Sequence, residues 1–104
     1  MSVTHQIYLV SDSTGETIDR IFMALKAQFK DFKYKVHHFS FTRTENQISQ
    51  IIEEVEKNEN TIILYTIVDN KLAKHLVQKS KEKNIHCFGV LGDLILNFSK
   101  LLNQ

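Results

Sequence analysis

Apolar positions along this chain alternate between two spacings, and the alternation recurs four times. Gln6 to Ser11 reads as a strand, and apolar residues then follow at Ile18, Ile21, Phe22, Leu25 and Phe29. That second spacing places one stripe on one face of a helix. Ser13 and Glu16 stand three residues apart before the stripe, the spacing of a capping box that satisfies free N–H groups at a helix start. A second strand is expected over Tyr34 to Phe41. Thr44 and Gln47 repeat the capping spacing after it, ahead of Ile48, Ile51, Ile52 and Val55 on one helical face.

The run Ile62 to Val68 is nearly all apolar and rich in β-branched residues, the composition of an inner strand covered by helices on both sides. Asp69 is placed to cap the next helix, whose inward face is expected to be Leu72, Ala73, Leu76 and Val77. Ile85 to Val90 supplies a fourth strand. A last helix follows, with Asp93 as its cap and Leu94, Ile95, Phe98, Leu101 and Leu102 as its inward stripe.

Strands alternating with helices predict a three-layer, Rossmann-like α/β fold: a mainly parallel four-stranded sheet, order 2-1-3-4, with helices on both faces. Right-handed crossovers bring the loops after Ser11, Phe41, Val68 and Val90 to one edge. Ligands of such sheets bind at that edge, where the strand order reverses. Ser11 to Thr17, Thr42 with Arg43, Asp69 with Asn70, and Gly92 with Asp93 are therefore the residues to weigh for function.

Composition narrows the classes. At 104 residues, with 42% apolar and 24% charged residues, residues 1–104 are expected to form a single globular domain. Proline is absent and glycine occurs three times, so no linker is marked. Thirteen basic and twelve acidic side chains give a net charge of +1, which gives no reason to expect nucleic acid or anionic lipid as a partner. Lys79, Lys81 and Lys83 fall where cations suit a helix C-terminus. No apolar run approaches the roughly 20 residues that span a bilayer, and the polar start does not resemble a signal peptide. Cys87 is the sole cysteine and lies in an apolar run, which favours a buried thiol in a reducing, cytoplasmic setting.

The candidate chemistry concentrates in Ser11, Asp12, Ser13, Thr14, Gly15, Glu16 and Thr17, which set four hydroxyls and a glycine between a strand and a helix start. Free N–H groups and the positive end of the helix dipole suit a phosphate or carboxylate there. On that basis Ser11, Asp12, Ser13, Thr14, Gly15, Thr17 and Arg43 form the candidate anion or substrate site, Arg43 contributing a guanidinium that matches phosphate geometry. The plainer reading is that Ser13 and Glu16 merely cap the helix. The segment lacks the glycine and lysine spacing of a P-loop and is not a dinucleotide fingerprint.

Asp12 and Asp69 also allow an alternative, a free-standing receiver-like module phosphorylated on an aspartate. The acid pair after the first strand is incomplete, however, and a fifth strand is absent. His37 and His38 are adjacent on a strand and so face opposite sides, which argues against a shared metal. No catalytic residue and no metal ligand is assigned from the residues.

As a string, Ile7 to Thr17 resembles the opening of the pyruvate, phosphate dikinase and phosphoenolpyruvate synthase regulatory proteins. The resemblance continues through Phe41 to Glu45 with Gln47, Leu64 to Asp69, and Gly89 to Ile95. It implies a bifunctional serine/threonine kinase and phosphorylase. Such a regulator phosphorylates a threonine of the dikinase or synthase with ADP as donor and removes it with inorganic phosphate. The family's nucleotide-binding P-loop belongs to a C-terminal domain, and no such segment occurs in these 104 residues. The resemblance therefore implies the N-terminal part of a two-domain protein, without a bound cofactor of its own and inactive alone. ADP and phosphate act in the full-length family. The expected partners are the dikinase or synthase, with a second copy of the chain if the apolar stripe at Leu94 to Leu102 seeks one.

Overall fold

The computed structural model describes residues 3–104. Four strands, β1 (Thr4–Ser11), β2 (Lys33–Phe39), β3 (Thr61–Thr66) and β4 (His86–Gly89), alternate with four helices. These are α1 (Glu16–Lys26), α2 (Glu45–Glu56), α3 (Asn70–Glu82) and α4 (Gly92–Leu102). All strand pairs are parallel and the order is β2-β1-β3-β4, so the expected Rossmann-like sheet is present. β1 and β3 are the two inner strands of the sheet and carry its most continuous apolar sequence.

Strand alternation sorts the core into two layers. Tyr8, Val10 and Ile63 face Ile48, Ile51, Ile52 and Val55 of α2 and Leu72 and Leu76 of α3. Ile7, Leu9 and Leu64 face Ile18 and Phe22 of α1 on the other side. His37 and His38 obey the same alternation. The His37 ring stacks on Tyr8, centroids 4.5 Å apart, whereas His38 Nε2 lies 3.2 Å from Asp19 Oδ1 of α1. Burial, with Lys35 nearby, lowers the His37 pKa, and its Nε2 is 2.7 Å from Gln6 Oε1.

Several local expectations are corrected. Ser13 and Glu16 form no capping box, because Gly15 takes the N-cap position at φ 90° and leaves Ser13 outside the helix. Leu25 in the last turn of α1 is 42% exposed, and Phe29 lies beyond the helix end at Lys26 and is 59% exposed, so neither completes a buried stripe. Val68 lies beyond β3 and is exposed, as is Val77 of α3, while Ser80 takes a buried place on that helix. Asp93 does not cap α4: Leu91, two residues earlier, takes the N-cap position, with Ile95 N–H donating to Leu91 O, so Asp93 lies within the first turn. The largest departure concerns the stripe of α4. Leu94, Ile95, Phe98, Leu101 and Leu102 are all exposed, and α4 buries none of its residues.

Candidate functional site

The edge loops converge as the topology requires, and backbone bonds hold them in place. Asp12 N–H donates to Thr66 O at 3.3 Å, and Thr42 N–H donates to Ser11 O at 2.8 Å. Phe41 N–H donates to Ser13 O at 2.9 Å, and the Ser40 hydroxyl donates to Thr14 O at 2.9 Å. The loop after β1 is thus bonded to its neighbours on both sides.

Asp12 occupies the point where the strand order reverses, between the ends of β1 and β3. Its Oδ2 accepts from Val68 N–H at 2.8 Å, so the carboxylate bridges the crevice that ligands of this fold enter. A carboxylate accepting a backbone N–H forms one of the stronger protein hydrogen bonds, worth roughly 1.5–3 kcal/mol. Asp69 is likewise engaged, its Oδ1 accepting from Leu72 N–H at 2.9 Å as the expected cap of α3. Both carboxylates singled out for the receiver-like alternative therefore have structural partners.

Ser11 is buried and Ser13 exposed, with Ser13 N–H donating to Ser11 Oγ at 3.1 Å. Thr14 and Thr17 are exposed, and Gly15 is buried beneath them. No side chain caps α1, in contrast to α2 and α3. Arg43 reaches this loop through Nε, which donates to Asp12 O at 2.9 Å. Its guanidinium lies 5.3 Å from the Phe41 ring centroid, and its terminal nitrogens make no hydrogen bond among the described residues. The structure therefore brings Arg43 to Asp12, while Thr42 and Phe41 bond Ser11 and Ser13. Gly92 and Asp93 make no hydrogen bond to the loop among the described residues.

Gln47 has a larger part than helix capping alone suggests. The Thr44–Gln47 capping box forms, and Gln47 Oε1 also accepts from Arg43 N–H at 2.7 Å while Nε2 donates to Phe41 O at 3.2 Å. One amide thus orients the turn that presents Arg43. That turn carries Phe41 at φ 55°, a left-handed conformation that costs a non-glycine residue roughly 1–2 kcal/mol. The capping spacing pointed to Gln47, but nothing in the sequence signalled the positive φ at a phenylalanine.

A hollow of about 200 Å³ opens beside this turn between the starts of α2 and α3. Arg43 and Lys71 line it together with Glu45 and Asp69, so its charge is mixed. Away from the edge, Cys87 faces the α3 layer, and burial pushes its thiol up to about 11, which keeps it protonated and unreactive at neutral pH. Among the described residues no helix is long and apolar enough to cross a membrane.

A parallel 2-1-3-4 sheet with a polar, hydrogen-bonded carboxyl edge defines the molecule as a Rossmann-like α/β domain. Comparison with known proteins makes this specific. Residues 7–104 match the family model described as kinase/pyrophosphorylase, and the chain belongs to that family. A protein of Pelagibacter ubique (strain HTCC1062) named as a pyruvate, phosphate dikinase regulatory protein is 67% identical across the whole chain, which covers 38% of that relative. Relatives of the same name from Geotalea uraniireducens and Clostridium botulinum are 36% and 37% identical over 93% of the chain. The chain spans little more than a third of the length of these relatives.

Proposed function

We propose that these residues form the N-terminal domain of a regulator of pyruvate, phosphate dikinase or phosphoenolpyruvate synthase. In this reading the whole protein phosphorylates a threonine of its target with ADP as donor, and removes the phosphate by phosphorolysis. The nucleotide chemistry belongs to a separate P-loop domain, and the present domain serves as an accessory anion-binding or target-docking element in the cytoplasm. Family membership and the names of the relatives support the regulatory role.

The observation that carries the role of the edge is the pairing of two unused donor groups. The start of α1 has no side-chain cap, and Arg43 is tied to the adjoining loop through Nε alone. Uncapped N–H groups with a neighbouring guanidinium suit a phosphate or a carboxylate. The crevice itself is bridged by Asp12 and Val68, which favours a surface contact over an enclosed nucleotide.

Amide shifts of the isolated chain during titration with ADP, and separately with inorganic phosphate, test the anion role. Shifts centred on Ser13 to Thr17 and Arg43, abolished in Arg43→Ala, are expected. An unchanged spectrum at millimolar ligand removes that role and leaves docking, to be measured as binding of the chain to purified dikinase or synthase. Absence of both responses would overturn the assignment of this edge.

A further inference from the structure

The two faces of the sheet are covered unequally. Four strands spaced about 4.8 Å apart make a face roughly 19 Å wide, and a helix with its side chains is about 10 Å across. Each face therefore accommodates two helices. One face carries α2 and α3, whereas the other carries α1 without a neighbour.

Beside α1 lies an apolar groove of about 570 Å³. Its floor is Ile7, Ile62, Leu64 and Phe88 of β1, β3 and β4, and Phe22, Leu25 and Phe29 form its wall. Phe88 on β4 is 55% exposed, unusual for a large apolar group on a parallel sheet, and Phe29 in the wall is 59% exposed. α4 adds an apolar stripe that contacts no core layer.

We propose that the groove, floored by β1, β3 and β4, seats one amphipathic helix from the part of the family's longer chain that these residues do not span. The inference rests on the two-domain reading above. Three features identify this occupant. The uncovered strip is one helix wide and lies beside the edge strand β4, where chain crossing back over the sheet meets it first. The relatives contain well over half their length outside the matched region, enough to supply such a helix. Lys30 and Lys33, with Asp31 between them, line the end of the groove where the strands begin and leave it net positive. A helix running antiparallel to the strands, as helices of this fold do, places its negative C-terminal end beside these lysines.

The test mixes the labelled 104-residue chain with the separately expressed remainder of the Pelagibacter ubique relative, its folding checked by circular dichroism. A complex is expected in which amides of Ile62, Leu64 and Phe88 become protected from exchange. Phe88→Asp should weaken it at least tenfold, while Val77→Asp on the α3 side leaves it unchanged. Should the remainder not fold alone, hydrogen exchange of the full-length relative against its isolated matched region gives the same answer: slower exchange at the matched groove positions supports the seat. Three results would overturn it: protection confined to other faces, concentration-dependent self-association that covers the groove without the remainder, or α4 folding back into the groove by itself. Protection of another face would leave the two-domain reading standing while removing this seat; a folded remainder that does not bind, with no slowing in the full-length relative, would count against both.

Discussion

Gly15→Ala tests directly how the edge loop is built. Gly15 sits at φ 90°, and a Cβ there would lie 3.1 Å from Ser40 Oγ. The left-handed backbone costs an alanine roughly 1–2 kcal/mol, partly offset by the ~0.5–1 kcal/mol of chain entropy that glycine forfeits on folding. Ser40 would also have to rotate, loosening its 2.9 Å bond to Thr14 O, a further ~0.5 kcal/mol at an exposed site. The net loss should be about 1–2 kcal/mol, or roughly 5–10 °C in Tm for a domain of this size. Urea unfolding followed by circular dichroism measures it, with an unchanged m-value indicating that the surface exposed on unfolding is the same in both proteins. Gly92 is the matched control, since a Cβ there meets nothing within 4 Å and the position is helical. Gly92→Ala should leave stability unchanged or raise it slightly. Equal stability of Gly15→Ala and wild type, or equal losses at both glycines, would refute the assignment of Gly15 as the conformational pivot of the loop.

Thr44→Ala should cost about 1 kcal/mol because Thr44 Oγ1 accepts from Gln47 N–H at the start of α2, whereas Ser13→Ala should cost less than ~0.5 kcal/mol, since Ser13 caps nothing. Comparable losses in the two urea curves would contradict the corrected helix start. Alkaline pH offers a separate test through Cys87, whose thiol is raised from 9.0 to about 11 by burial. A raised pKa means that the folded chain holds the proton longer than the unfolded one, so stability should fall as pH rises from about 9 to about 11. Tyr65, whose pKa burial also raises, acts in the same sense. Cys87→Ala should therefore flatten the decline without abolishing it, and an unaltered slope would show that the thiol contributes nothing.

Spacing of apolar residues along the chain was enough to determine the number, kind and order of the elements, because each helix or strand buries a stripe whose period is local. The caps at Thr44 and Asp69 were legible for the same reason: each is contained within four consecutive residues, and both formed. The family resemblance was likewise carried by contiguous strings at the strand ends, and the kinase/pyrophosphorylase match spans them.

Tertiary structure decided what those residues are engaged with. Asp12 bridges to Val68, 56 positions away, and Arg43 bonds Asp12 O across the edge, pairings that depend on which strands end side by side. Gly15 displaced Ser13 from its cap because the loop must turn beneath Ser40, a constraint imposed by a neighbouring strand. The apolar stripe of α4 illustrates the limit most clearly. Its period correctly specified a helix, but a period states only that one face is apolar, and the structure left that face exposed. The candidate loop was visible in the sequence as hydroxyls and a glycine before a helix; its bridged crevice and tethered arginine follow from contacts between distant strand ends, which no local pattern encodes.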